Sequence, residues 1–191
     1  SSDLDLKRQI IDGTINNFYV FYGEESTVQN VYISKIAEIS SSEITPIDSI
    51  KDIVGGSGGF IQVKRCYVCI DPIEILKSKD LNGDFEKISQ ILGNNLLIIK
   101  LSNIDEWSKL YNALSDIGVE FKPLHPQVLA KYIKKDLDLS DKDAVYFAEL
   151  CKGSYGKALL EVDKVKHYMA VSGQTATEAF NTLLEHNIID I

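Results

Sequence analysis

The run Phe18–Tyr22, FYVFY, contains no charged position. A short, continuous apolar run of this kind predicts a strand buried on both faces of a sheet. CYVCI at 66–70 and LLII at 96–99 repeat the pattern, and VEF at 119–121 predicts a short fourth strand. Between these runs the apolar period changes to that of a helix. Val28, Val31, Tyr32, Ile36 and Ile39 follow Ser26 at helical spacing, and Phe85, Ile88, Ile91 and Leu92 precede a stop at Gly93. Leu4, Ile10 and Ile11 predict a leading helix. Thr45-Pro46 with Asp48 predicts a short helix with Ile47, Ile50, Ile53 and Val54 inward, ending at Gly55. Trp107, Leu110, Tyr111, Leu114 and Ile117 mark another, ended by Gly118. Strands separated by helices imply parallel pairing through right-handed crossovers.

Past Lys122-Pro123 no further strand is expected. Pro126 opens a helix with Leu129, Tyr132 and Ile133. Ser140-x-x-Asp143 resembles a capping box ahead of Ala144, Phe147, Ala148 and Cys151, with Gly153 closing that helix. Leu159, Val162, Val165 and Met169 mark the next, and Thr175-x-x-Glu178 caps a last one carrying Phe180, Leu183 and Leu184. The expected organisation is an α/β domain over residues 1–122 and an all-helical domain over 123–191.

Composition narrows the function classes. The formal net charge of the 191 residues is -8, which argues against unspecific grip on a phosphate backbone. No apolar run approaches the ~20 residues of a membrane span, and the N-terminus SSDLDLKRQI lacks a signal-peptide core, so the expectation is a cytoplasmic protein with no membrane partner. Cys66 and Cys69 form a C-x-x-C, but residues three apart in a strand point to opposite faces. No second pair or nearby His supplies metal ligands, so these read as core cysteines. His125, His167 and His186 are scattered, and KYIKK at 131–135 reads as a solvated helix face. Abundant Lys, Asn and Ile with only Arg8 and Arg65 hint at an AT-rich source, such as a phage.

The turn after the first strand, YGEESTVQN, lies where a phosphate-binding loop would sit. Such a loop needs several glycines, so that backbone N–H groups wrap the phosphates, then a Lys and a Ser or Thr. Here Gly23 is the one glycine, Glu24 and Glu25 place negative charge where phosphates would lie, and Gln29-Asn30 occupies the Lys-Ser/Thr position. The second strand ends at Asp71 like a Walker B strand, with Pro72 where a second acid is usual, and the third ends at Asn103, where a polar sensor would stand.

Together with the helical phrase FKPLHPQVLAKYIKKDLDLSDKDAVYFAELCKGSYGKALLEVDKV, these motifs resemble the AAA+ clamp-loader family, and within it the delta subunits of bacterial DNA polymerase III loaders. That resemblance implies an AAA+-like parallel sheet with flanking helices, followed by a small helical lid. The phrase that carries the family's nucleotide-sensing arginine reads Gly153-Ser154-Tyr155-Gly156-Lys157-Ala158-Leu159, so Gly156 stands at the arginine position, or Lys157 if the register slips by one. No arginine finger has a candidate. Gly23, Glu24, Glu25, Asp71, Asn103 and Gly156 would then form a vestigial nucleotide site, with no catalytic residue, no metal and no cofactor. In the delta family an apolar wedge ahead of the second strand enters a pocket of the sliding clamp. The matching residues are Gly59, Phe60 and Ile61, with Gly59 where a Leu is usual. The family's third domain, a helical collar, would begin near Ile191 and is not expected in this chain.

The expected function is a non-catalytic clamp-loader subunit that binds and helps open the DNA sliding clamp. ATPase subunits of the loader would be its partners, and DNA would be met only indirectly. An active AAA+ ATPase, and a stator or adaptor on a degenerate AAA+ fold, stand as the alternatives.

Overall fold

The structure, a computed structural model, describes residues 3–53, 63–103 and 117–189. The chain divides into two compact units, Ser1–Phe121 and Lys122–Ile191.

In the first unit, α1 (Asp3–Asp12) precedes β1 (Phe18–Gly23), α2 (Ser26–Ile39) and β2 (Glu43–Ile47). A 3-10 turn (Ile50–Asp52) leads on towards β3 (Arg65–Ile70), the one-turn α3 (Ile73–Leu76), α4 (Leu81–Leu92), β4 (Leu96–Leu101) and β5 (Gly118–Phe121). The sheet order is β2-β3-β4-β1-β5, and every pairing is parallel. β1 lies between β4 and β5, with Tyr22 opposite Leu101 and Gly23 opposite Phe121. That placement is why FYVFY needs no polar position: all five side chains are buried.

Alternation along the strands divides the core into two layers. Phe18, Val20, Tyr22, Tyr67, Cys69, Leu97 and Ile99 pack with Ile75 of α3 and with Phe85, Ile88 and Leu92 of α4. Tyr19, Phe21, Cys66, Ile98, Val119 and Phe121 pack with Leu6 of α1 and Ile33 and Ile36 of α2. Each fully buried side chain of this size contributes roughly 1.5–3 kcal/mol relative to exposure. Cys66 and Cys69 therefore belong to opposite layers, as strand geometry requires. Aromatic edges reinforce both: Phe18 meets Phe85 in a T-shaped pair at 5.4 Å, and Phe21 meets Phe121 at 4.8 Å.

Two expectations fail in this unit. The segment from Thr45 to Ile47 is strand β2, not the start of a helix. β2 is an edge strand with Glu43, Ile44 and Pro46 exposed, so it lacks a buried alternation to read. An edge position also tolerates the missing N–H of Pro46. Ile50 and Ile53 still reach the core, through the 3-10 turn closed by a Ser49–Asp52 capping box. Gly118 opens β5, opposite Val20, rather than ending a helix. The leading helix expected from Leu4, Ile10 and Ile11 is α1, in which Leu6 is buried, Ile10 packs against the same core and Ile11 is exposed. Val54, the GGSGGFI run and the helix expected around Trp107, Leu110, Tyr111 and Leu114 fall outside the described residues.

The second unit packs four helices: α5 (Pro126–Asp136), α6 (Asp141–Leu150), α7 (Tyr155–Ser172) and α8 (Ala176–Glu185). Side chains at the start of each satisfy orphan backbone donors. His125 Nδ1 accepts from Gln127 N, Ser140 Oγ from Asp143 N, Ser154 Oγ from Lys157 N and Thr175 Oγ1 from Glu178 N. The core holds Leu129, Ile133, Phe147, Val162, Val165 and Phe180, with Phe147 stacked on Phe180 at 4.9 Å.

Candidate functional site

Ligands of open parallel sheets bind outside the carboxyl ends of the strands, between neighbours whose onward connections run to opposite sides of the sheet. β1 and β4 are those neighbours here: β2 follows β1 on one side of the pair, and β5 follows β4 on the other. A crevice of about 290 Å³ lies at their ends, lined by Gly23, Glu24, Ser26, Gln29, Ile70, Lys100, Leu101 and Ser102.

The turn into α2 is built around Gly23, whose φ is +110°. A Cβ at this position would stand 2.3 Å from Phe121 O and 2.9 Å from Phe121 N. Close approach of the β1 and β5 backbones therefore requires glycine whether or not any phosphate binds. Glu25 N donates to Phe121 O at 3.4 Å, fastening the turn to the same strand.

Glu24 remains exposed at the crevice, whereas Glu25 is buried. Both carboxylates were expected to face the phosphate position. The structure brings only Glu24 there, because Glu25 is the residue on which α2 starts and its side chain turns inward. Gln29, at the expected Lys position, is also buried, and its Nε2 donates to Gly23 O at 3.5 Å.

The cation of the crevice comes from the sheet. Lys100 lies on the α2 side of β4, between the inward-facing Ile99 and Leu101 of the other layer. Its Nζ donates to Asn30 Oδ1 at 2.9 Å and to Ser26 Oγ at 3.2 Å. Burial holds the Lys100 ammonium below the ordinary lysine pKa. A cation near the first turn of a helix also opposes the helix dipole, and the two oxygen acceptors offset that cost. Lys100 was missed in the sequence, although a lone charge inside LLIIKL is a visible signal.

Asp71 has φ +48°, a conformation that Asp tolerates better than most residues. Its N–H donates to Lys100 O and its Oδ1 accepts from Ser102 N, both at 2.9 Å. Asp71 thus ties the end of β3 to the end of β4, and Asn103 follows, exposed. Gly156 lies in the first turn of α7, in the helical unit, after the Ser154 cap. Gly59, Phe60 and Ile61 fall outside the described residues. No histidine or cysteine lines the crevice, and among the described residues no three His, Cys, Asp or Glu side chains cluster as metal ligands. The three thiols, Cys66, Cys69 and Cys151, are buried, which pushes each up to about 11. No helix among the described residues is long and apolar enough to cross a membrane.

A scan of protein-family models finds no match to this sequence. A search of curated proteins finds no significant match either. Solved structures do match. The DNA clamp loader delta protein of Bacillus subtilis aligns at TM-score 0.52 and 14% identity, over 87% of this chain and 57% of that protein. The RuvB Holliday junction branch migration motor of Thermotoga maritima aligns at TM-score 0.61 and 14% identity, over 95% and 66%. Domain III of the replication initiation protein DnaA from the same organism aligns at TM-score 0.59 and 12% identity, over 98% and 91%. At these identities the likeness is one of fold: an AAA+-type α/β unit followed by helices. The chain spans a little over half the length of the delta protein.

Proposed function

We propose that this chain is a delta-type clamp-loader subunit: a cytoplasmic, non-hydrolysing AAA+-fold protein that binds a DNA sliding clamp and helps to open it. Partner subunits of the loader supply ATP hydrolysis, and DNA is met through the assembly. The observation that carries the reading is the entrance to α2. It has Gln29-Asn30 where a nucleotide-binding loop carries Lys and Ser or Thr, and the nearby Lys100 is already engaged by Ser26 and Asn30. The fold likeness to a clamp loader delta protein supports it further. Gly59, Phe60 and Ile61 form the clamp-contacting tip on this reading, with Phe60 as the aromatic anchor. Such a protein works through binding energy alone, so its tip must prefer the open clamp to the closed one.

The test is calorimetric titration of the chain with the sliding clamp of its own source, with and without ATP. The expected result is ATP-independent binding that Phe60→Ala weakens by about 2 kcal/mol or more. Heat from ATP with no clamp binding would establish a nucleotide-dependent AAA+ protein instead. No binding to either would leave an adaptor on the same fold.

A further inference from the structure

The α2 face of the sheet is only partly covered. Side chains alternate along a strand, so residues paired across β2, β3 and β4 share a face. Ile44 pairs with Cys66, Pro46 with Val68, Val68 with Ile98, and Ile70 with Lys100. Cys66 and Ile98 pack in the layer of α1 and α2, which places the whole set on that side. Towards the β2 edge the cover thins: Ile44 is 41% exposed and Ile70 60%. Between α2 and these strands lies a cavity of about 490 Å³ with Ile33, Ile44, Pro46, Val68 and Ile70 in its walls. Its polar lining is Asn30, Ser34, Asp48 and Lys100. That volume, and a mostly apolar wall with a few polar groups, are those of a small-molecule site.

Lys100 supplies a second, independent observation. Its ammonium carries three donors, and two neutral oxygens, Ser26 Oγ and Asn30 Oδ1, accept from it. Among the described residues no carboxylate pairs with it. A half-buried cation held by neutral acceptors alone favours an anion brought from outside, since charge-assisted hydrogen bonds are the strong ones. Two acids stand in the surroundings. Asp48 follows Ile47, which pairs with Cys69, the residue before Ile70. It is thus two strands from Lys100, about 10 Å, and exposed. Glu24, also exposed, lines the neighbouring crevice that shares Ile70 and Lys100 with this cavity. Water screens both acids, whereas Lys100 is partly withdrawn from it.

We propose that this cavity binds a small apolar carboxylic acid, with its carboxylate on Lys100 Nζ and its hydrocarbon body on Ile44, Val68 and Ile70. A body of about ten to twenty non-hydrogen atoms suits the volume. The proposal uses neither clamp contact nor the turn at Gly23.

The probes are 4-butylbenzoate, 4-butylbenzyl alcohol and 4-butylbenzylamine, which share one body and differ in charge. Each is titrated into the full chain and followed by methyl NMR. The acid is expected to bind at least about tenfold more tightly than the alcohol or the amine, with the largest shifts at the methyls of Ile33, Ile44, Val68 and Ile70. Lys100→Met should erase the preference for the acid while the alcohol binds as before, and that retained binding shows the cavity intact. Ile44→Ser with Ile70→Ser should weaken all three probes about tenfold with circular dichroism unchanged, since both side chains are partly in water. Equal affinity for acid and alcohol would overturn the proposal, as would an acid preference that survives Lys100→Met. Preference for the amine would make Asp48 the selecting charge and overturn it too. No binding of any probe, or shifts confined to other methyls, would also sink it. Phe60→Ala should leave acid binding untouched, so this proposal and the clamp-loader reading fail independently.

Discussion

Replacing Gly23 by Ala separates two reasons for a glycine after β1. If the residue served a phosphate, the variant would fold normally and lose ligand. The geometry points to the backbone instead. An L residue held at φ +110° costs about 1–3 kcal/mol. The added Cβ would stand 2.3 Å from Phe121 O, where contacts under 3.0 Å are essentially never seen, so β1 and β5 must part by about 3.0 − 2.3 = 0.7 Å. That opening also breaks the 3.4 Å bond from Glu25 N to Phe121 O, worth about 1 kcal/mol. The sum is a loss of about 3 kcal/mol. Gly173→Ala is the control: its φ is +73°, but nothing lies within 4 Å of a Cβ there, so only the conformational cost of about 1–2 kcal/mol applies. Urea unfolding followed by circular dichroism reads both. With an m-value of about 1.5 kcal/mol/M, Gly23→Ala should lower the midpoint by about 2 M and Gly173→Ala by about 1 M. Amides of β1 and β5 should lose exchange protection first in the Gly23 variant. A Gly23→Ala protein no less stable than the Gly173→Ala control would refute the close-approach argument.

Two further outcomes follow from the crevice and the core. Lys100→Met removes two hydrogen bonds but also the burial of a cation, so stability should change by no more than about 1 kcal/mol. On the proposed function, millimolar ATP should raise the melting temperature of neither protein; a rise in the native chain that Lys100→Met abolishes would indicate a nucleotide site. The thiols of Cys66, Cys69 and Cys151 are pushed from 9.0 up to about 11 by burial. Between those values the unfolded chain releases protons that the folded chain keeps, so stability falls as pH rises from 9 to 11, by up to about 2.7 kcal/mol per thiol. Lys100, lowered instead, contributes in the opposite sense. Urea midpoints of the native chain and its Cys→Ala variants across that range check the sign, and equal slopes for both would contradict it.

Buried strands and amphipathic helices were legible in the sequence because burial imposes a period on composition. FYVFY, CYVCI and LLIIKL are continuous because each strand has a helical layer on both faces, and Phe85, Ile88 and Leu92 keep the helical period because one side of α4 meets the sheet. Two caps of the helical unit, Ser140 and Thr175, were legible too, since a side-chain oxygen three residues ahead of an N–H is a local relation. β2 was not legible. An edge strand with exposed Glu43, Ile44 and Pro46 has no alternation to read, and pairing with β3, which begins at Arg65, decides its state.

At the crevice the division follows the same physics. The sequence by itself determined the residue types present: one glycine, two acids, and Gln29-Asn30 in place of Lys and Ser or Thr. Only the tertiary structure decided their roles. Burial of Glu25, the contact of Gly23 with Phe121, the carboxylate of Asp71 on Ser102 N and the reach of Lys100 to Ser26 and Asn30 all depend on which strands lie side by side. Lys100 and Ser26 are 74 residues apart, and sheet order alone makes them neighbours.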